Sequence, residues 1–182
     1  MRVLFLTHNY PRFAADAAGS FLHRLALALR AADVEVSVLA PAGEGLPDDG
    51  MLDDVPIRRF RYAPRGMESL AYTGSMAERV LGTWSGKVAI AGLLGAGGFA
   101  LHREIARLKP SLIHAHWWFP SGLLALGGAG DVPLVTTLHG SDVRLAPKRE
   151  ARASALPERA REGARHDRRF VVARRGGPGD GA

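Results

Sequence analysis

The chain contains no cysteine, which removes disulfides and thiolate-held metals from consideration. It also lacks a long apolar run. The longest, Val88–Leu101, is 14 residues interrupted by four glycines, short of the roughly 20 that span a bilayer, so no transmembrane helix is expected. The opening residues Met1-Arg2-Val3-Leu4-Phe5-Leu6-Thr7 have no small-residue cleavage site after them and read as a first strand, not a secretory signal. No G-x-G-x-x-G follows that strand, which disfavours a nucleotide-dependent oxidoreductase. No Ser-His-Asp order or nucleophile elbow is present, which disfavours covalent hydrolysis. A basic face interleaved with aromatics is missing too. The net charge is +6, but residues 1–147 carry 14 Lys+Arg against 13 Asp+Glu, and residues 148–182 carry 10 against 5. The basicity belongs to the tail, and no nucleic-acid partner is expected.

What is present suits one α/β domain. The chain has 182 residues, 47% of them hydrophobic and 23% charged, enough to bury a core. Val3–Thr7 is apolar throughout, as a strand buried on both faces should be. From Ser20 the period changes: Phe21, Leu22, Leu25, Ala26 and Leu29 fall on one helical face, with Arg24 and Arg30 opposite. Val34–Ala40 is a second strand, residues 42–54 a Gly-, Pro- and Asp-rich surface loop, and Val55–Tyr62 a third strand nearer an edge. Helical patterns cover Met67–Leu81 and Val88–Leu108, the latter weakened by its glycines. Leu112–Ala115 is a short strand, Pro120–Leu126 a short helix with proline in its first turn, and Val132–Leu138 the next strand. Strands joined by helical crossovers predict a Rossmann-like parallel sheet with helices on both faces.

In such a sheet ligands bind beyond the carboxyl ends of the strands. Three loops leave those ends: His8–Gly19, His116–Pro120 and His139–Val143. They hold nearly all the unusual polar chemistry of residues 1–147. Gly19 and Ser20 stand where a loop becomes a helix, a place that either accepts an anion such as a diphosphate or is a Ser20-capped helix start. Gly95, Gly97 and Gly98 mimic a dinucleotide fingerprint, but they follow helical pattern, not a strand, and are a decoy. His114 and His116 flank Ala115 and share a strand face, as a metal pair or as packed, hydrogen-bonded histidines. Trp117, Trp118 and Phe119 suit a sugar-stacking surface or core packing. His139, at a strand tip before Gly140, is placed to present its imidazole to a ligand hydroxyl, and Asp142 to orient that site or cap a helix.

The stretches Thr7-His8-Asn9-Tyr10-Pro11-Arg12-Phe13, Ala18-Gly19-Ser20-Phe21-Leu22-His23-Arg24-Leu25-Ala26, Leu112-Ile113-His114-Ala115-His116-Trp117 and Pro133 to Val143, in that order and spacing, are similar to the amino-terminal domain of family 4 glycosyltransferases over residues 1–146. Val36 to Pro41 and Arg59 to Pro64 add to the match. The resemblance implies the acceptor-side half of a GT-B fold, in a two-domain enzyme that moves a sugar from a nucleotide-sugar donor to a glycan or glycolipid acceptor with retention, as in exopolysaccharide synthesis. It implies that Gly19 and Ser20 lie beside the donor diphosphate and that His139 contacts the donor sugar near the reacting centre. It places His116, Asp142 and Asp16 on the acceptor side. No metal or other cofactor is implied. A cytoplasmic location is expected, with at most peripheral membrane contact. Two positions depart from the family pattern: Ala18-Gly19 where many members have Gly-Gly, and Ala15-Asp16 where relatives often have Gly-Asp.

Residues 147–182 contain nine arginines and only four large apolar residues, Leu156, Phe170, Val171 and Val172. Such a segment buries too little surface to offset chain entropy. It is expected to be an irregular basic tail, not a native domain. A one-base shift across His166–Gly177 with GC-rich codons can spell a strand-to-helix passage, so truncation or frameshift near residue 147 is the expectation. The carboxyl-terminal donor-binding domain would then be missing and the chain inactive alone. The alternative is a stand-alone sugar- or lipid-acceptor-binding module that pairs with a separate donor-binding subunit.

Overall fold

A computed structural model describes residues 1–65, 67–68, 70–72, 84–139 and 171–173. Seven strands form one sheet: β1 (Arg2–Leu6), β2 (Glu35–Pro41), β3 (Asp49–Leu52), β4 (Val55–Phe60), β5 (Leu112–His116), β6 (Leu134–Thr137) and β7 (Val171–Ala173). Their spatial order is β3-β4-β2-β1-β5-β6-β7. Every neighbouring pair is parallel except β3–β4. The described helices are α1 (Ser20–Arg30), α2 (Trp84–Leu108) and α3 (Leu123–Gly128).

Strand alternation sorts the core into two layers. Val3 and Phe5 of β1, with Val36, Val38 and Ala40 of β2, pack against Leu22 and Ala26 of α1. Leu4, Leu6, Leu39, Ile113 and Ala115 point the other way, onto Leu93 and Leu101 of α2 and Leu124 and Ala125 of α3. The fold is thus the predicted Rossmann-like sheet covered on both faces. β1 sits at its centre, with β2 on one side and β5 on the other. The chain therefore reverses direction across the sheet at β1 and β5, and their carboxyl ends frame the crevice where such folds bind ligands.

Several elements differ from expectation. The loop expected over 42–54 contains β3, which pairs antiparallel with β4 through Leu52↔Val55. The two-residue turn is Asp53-Asp54, with φ of 44° and 62°, the doubly left-handed geometry that a tight hairpin favours and that aspartate tolerates. The helix expected over Met67–Leu81 falls mostly outside the described residues. Its described part is not helical: the Leu70 and Ala71 N–H groups donate to Tyr62 Oη at 3.0 and 3.1 Å. The helix expected from Pro120 opens with a wide turn over Pro120–Gly122 that runs into α3, and just before it Trp117 has φ of 66° and Phe119 is extended at φ −130°, ψ 134°. Val171–Ala173, in the expected tail, lines up beside β6.

α2 begins at Trp84, earlier than expected, and at 25 residues is long and apolar enough to cross a membrane. Its glycines serve two different ends. A Cβ at Gly92 would sit 2.5 Å from the Tyr62 carbonyl oxygen, and one at Gly97 would sit 2.9 Å from Leu124 Cδ1. Gly95 and Gly98 meet nothing within 4 Å. Gly92→Ala should therefore destabilise the protein by roughly 1–3 kcal/mol through a clash with backbone. Gly95→Ala should stabilise it by roughly 0.5–1 kcal/mol through helix propensity alone. Denaturant unfolding of both variants checks the pair, and equal effects would contradict the assigned helix orientation.

Candidate active site

The loop after β1 folds back on itself before α1. Thr7 Oγ1 donates to Asn9 O at 2.9 Å and accepts from Asn9 N at 3.2 Å. The Asp16 carboxylate accepts from Arg12 Nε at 2.6 Å, Arg12 N at 3.1 Å and Ala18 N at 3.1 Å. The Arg12 guanidinium, with these N–H donors, holds the Asp16 carboxyl down at about 2. Asp16, expected on the acceptor side, is instead a buried brace inside the loop whose oxygens are already engaged. Below the loop, the buried Arg59 donates from Nη2 to Pro11 O at 2.9 Å. Tyr10 Oη shares a hydrogen bond with His23 Nδ1 at 2.8 Å, and His23 Nε2 with Asp53 Oδ2 at 2.9 Å. Sequence reading assigned Arg59, Tyr10 and His23 no role. Their signal was weak, since each lies in an element whose pattern is otherwise structural.

Gly19 is the N-cap of α1, with φ 74° and ψ 8°. A Cβ there would come within 2.9 Å of Asn9 O and 3.0 Å of Tyr10 Cα. The close approach expected of a ligand is made first by the protein's own loop, so glycine is required by folding as well as by any function. Ser20 does not cap: α1 has no side-chain cap hydrogen bond and no acid in its first turn. No carboxylate there opposes its positive dipole end.

His114 and His116 face the α1 side of the sheet, edge-on to Phe5 with ring centroids 5.3 and 4.7 Å away. His114 Nε2 is 2.8 Å from Thr137 Oγ1. His139 continues the group upward: its Nε2 is 3.4 Å from His116 Nδ1, and its ring lies 4.4 Å from Trp117 and 4.8 Å from Phe21 in the first turn of α1. His8, at the tip of β1, meets Trp117 at 4.5 Å. His8 occupies on β1 the strand-tip position that singled out His139 on β6, and that parallel was the available signal for it. The expectation put His116 on the acceptor-facing rim. Its side chain is fully buried under His139, because β5 alternation turns it into the core layer. Trp118 is exposed and Trp117 packed, so one tryptophan fits each of the two readings. No group of three or more His, Cys, Asp or Glu suited to a metal occurs among the described residues. Asp142, with Gly140 and Ser141, lies outside them.

Gly19, His116 and His139 thus meet at one end of the sheet, with His139 bridging β5 to α1. Burial, reinforced by His139, pushes the His8 and His114 imidazoles down to about 4. Burial, then His114 and His139, pushes His116 down to about 2. All three are uncharged at neutral pH. Two predictions follow from this geometry. An unfolded chain takes up protons on these imidazoles below their ordinary value of 6.5, whereas the folded one does not until about 4. Stability should therefore fall as pH drops from about 6.5 toward 4. Asp16 acts only below its ordinary 3.8 and leaves that window clear. Urea midpoints at neutral and mildly acidic pH test this, and a higher midpoint in acid would contradict it. Gly19→Val should cost about 2 kcal/mol, from left-handed strain and contact with Asn9, measurable as a lowered melting temperature.

Comparison with known proteins bears on the family and the fold. The family model described as Glycosyltransferase Family 4 matches residues 18–175, past residue 146 where sequence reading ended the domain. Glycogen synthase of Mycobacterium tuberculosis strain H37Rv is 29% identical over 162 residues, covering 78% of this chain and 34% of that protein. The chain thus spans about a third of the length of the curated relatives it matches. Sucrose-phosphate synthase of Thermosynechococcus elongatus superposes with a TM-score of 0.53 at 19% identity, over 81% of this chain and 36% of that one. A second structure of that enzyme, of fewer residues, gives 0.50 at 17%, over 79% and 66%. These likenesses support the fold, and the family match supports glycosyl transfer in general. The chain belongs to Glycosyltransferase Family 4.

Proposed function

We propose that this chain forms the acceptor-side half of a sugar-transfer site, closing over a nucleotide-sugar donor held by a separate donor-binding domain. The observation that supports it best is the placement of His139. It stands over buried, uncharged imidazoles and against Phe21 in the first turn of α1, at the crevice where β1 and β5 end. In this reading the donor diphosphate lies at the Gly19–Ser20 turn. There the dipole end of α1 and its backbone N–H groups favour the charge that develops as the leaving group departs. His139 contacts the donor sugar. Its seat on a neutral group suits hydrogen bonding to a hydroxyl and adds no fixed cation beneath the sugar.

Transfer proceeds with retention, by same-face attack of an acceptor hydroxyl whose proton passes to the leaving phosphate. No protein general base and no metal is then required. The acceptor is a glycan or glycolipid, met by the rim that includes Trp118; Asp142, which the resemblance puts on the acceptor side, lies outside the described residues. His116 and Asp16 act by holding that rim's first layer, not by touching the acceptor.

In this reading the donor-binding domain supplies the rest of the leaving group's electrostatic environment. The purified chain should therefore show no transfer with any nucleotide sugar, and measurable product would overturn that. Titration with a nucleoside diphosphate, followed by amide and imidazole NMR shifts, should perturb Gly19–Phe21 and His139. The perturbation should vanish in Gly19→Val. Shifts confined to other surfaces would sink the assignment.

A further inference from the structure

Tyr10, His23 and Asp53 are joined in a line to which the sugar-transfer reading gives no task. Tyr10 lies in the loop after β1 and is fully buried. Its phenol would be costly to bury without a partner, and among the described residues it meets His23 Nδ1 at 2.8 Å. The two rings cross edge-on, with centroids 5.7 Å apart. His23 is buried in the first turn of α1, where its backbone N–H donates to Gly19 O at 3.3 Å. Its other ring nitrogen, Nε2, lies 2.9 Å from Asp53 Oδ2. Asp53 belongs to the two-residue turn between β3 and β4, and its side chain is exposed. The line therefore runs from a surface turn, past α1, to the loop that frames Gly19.

The donors and acceptors of this line fit in one order. A carboxylate only accepts, so Asp53 takes a hydrogen bond from a proton held on His23 Nε2. Burial raises the Tyr10 phenol above its ordinary 10.0, so its oxygen keeps its proton and must donate it. The acceptor is the lone pair on His23 Nδ1, which the ring offers when Nε2 alone carries the proton. In a buried chain of this kind each bond polarises the next. The inner end is what reaches the site. A Cβ on Gly19 would lie 3.0 Å from Tyr10 Cα and 2.9 Å from Asn9 O, so the turn that starts α1 is moulded on the backbone that Tyr10 anchors. We propose that Asp53, acting through His23 and Tyr10, positions the Gly19–Ser20 turn, so that the β3–β4 hairpin sets how tightly this turn holds a diphosphate. All three are positioning residues and act through the turn. The identity of the ligand rests on the sugar-transfer reading, whereas the order of the hydrogen bonds does not.

Imidazole nitrogen NMR of the 182-residue chain tests the line itself. His23 should be protonated on Nε2 and bare on Nδ1. A proton on Nδ1 would overturn the proposal, because the Tyr10 hydroxyl would then have no acceptor. Titration with inorganic pyrophosphate, read on the amides of Gly19, Ser20 and Phe21, tests what the line does. Asp53→Gly suits the left-handed backbone at φ 44°, so it keeps the turn and removes only the carboxylate. It should move the free-state shifts of Gly19 and Ser20 and weaken pyrophosphate binding about threefold. Asp53→Asn, which keeps an oxygen for the Nε2–H group, should bind as the wild type does. His23→Leu removes both bonds and should weaken binding about tenfold. His23→Asn, whose amide oxygen can stand near the Nδ1 position, should recover most of that loss. If circular dichroism shows His23→Leu unfolded, the two variants at exposed Asp53 decide. Unchanged Gly19 shifts with wild-type affinity in Asp53→Gly would overturn the proposal and leave the sugar-transfer reading standing. Pyrophosphate that shifts none of these amides in the wild type would remove the diphosphate from the turn and overturn both.

Discussion

Phe5 is where the folding of this protein and the construction of its site become one problem. It is fully buried in the central strand, and both His114 and His116 rest edge-on against it. His139 is stacked on His116 and Phe21 meets His139 edge-on, so the start of α1 is located by a column of rings that begins in the core. Such a column tolerates no charge low down, because a buried cation without a partner carries a large desolvation penalty. The imidazoles are therefore neutral for a structural reason, and the polar end of the crevice inherits that neutrality. At that end the positive dipole end of α1 is available to meet an anion.

The layers of the fold were legible because the strands obey strict rules. Val3 to Leu6 is apolar at every position, which only a strand covered on both faces requires, and the 20–30 segment switches to a helical period without ambiguity. β3 was not legible, since Asp49-Gly50-Met51-Leu52 has neither β-branched residues nor alternation. It forms because β4 offers it an edge and Asp53-Asp54 accepts left-handed backbone. The wide turn that opens α3 was not legible either: Trp117 and Phe119 just before it leave helical geometry, and nothing in their side chains announces it.

For the site, position along the chain was legible and depth was not. Alternation correctly put His114 and His116 on one face, but which of the two faces lies under α1 depends on the packing of the whole sheet. His116 therefore lies beneath the rim and not on it. Asp16 shows the same limit. The resemblance put it on the acceptor side, yet Arg12, four residues earlier, occupies its carboxylate. The family resemblance pointed to these loops, and the hydrogen bonds within them decide which side chains remain available to a ligand.

The glycines of α2 carry the same distinction into the rest of the surface. Gly92 and Gly97 are explained by what stands over them, a carbonyl oxygen and the side chains of Leu124 and Phe60. Gly95 and Gly98 face open space, where alanine would make a better helix. Trp84, Val88 and Phe99 sit on that open side with no inward role either. A surface helix that satisfies only the core shows polar residues on its outer face. Here the outer face is apolar for about four turns, and its single acid is turned inward and neutralised by two arginines. Packing within the domain accounts for one side of α2 alone.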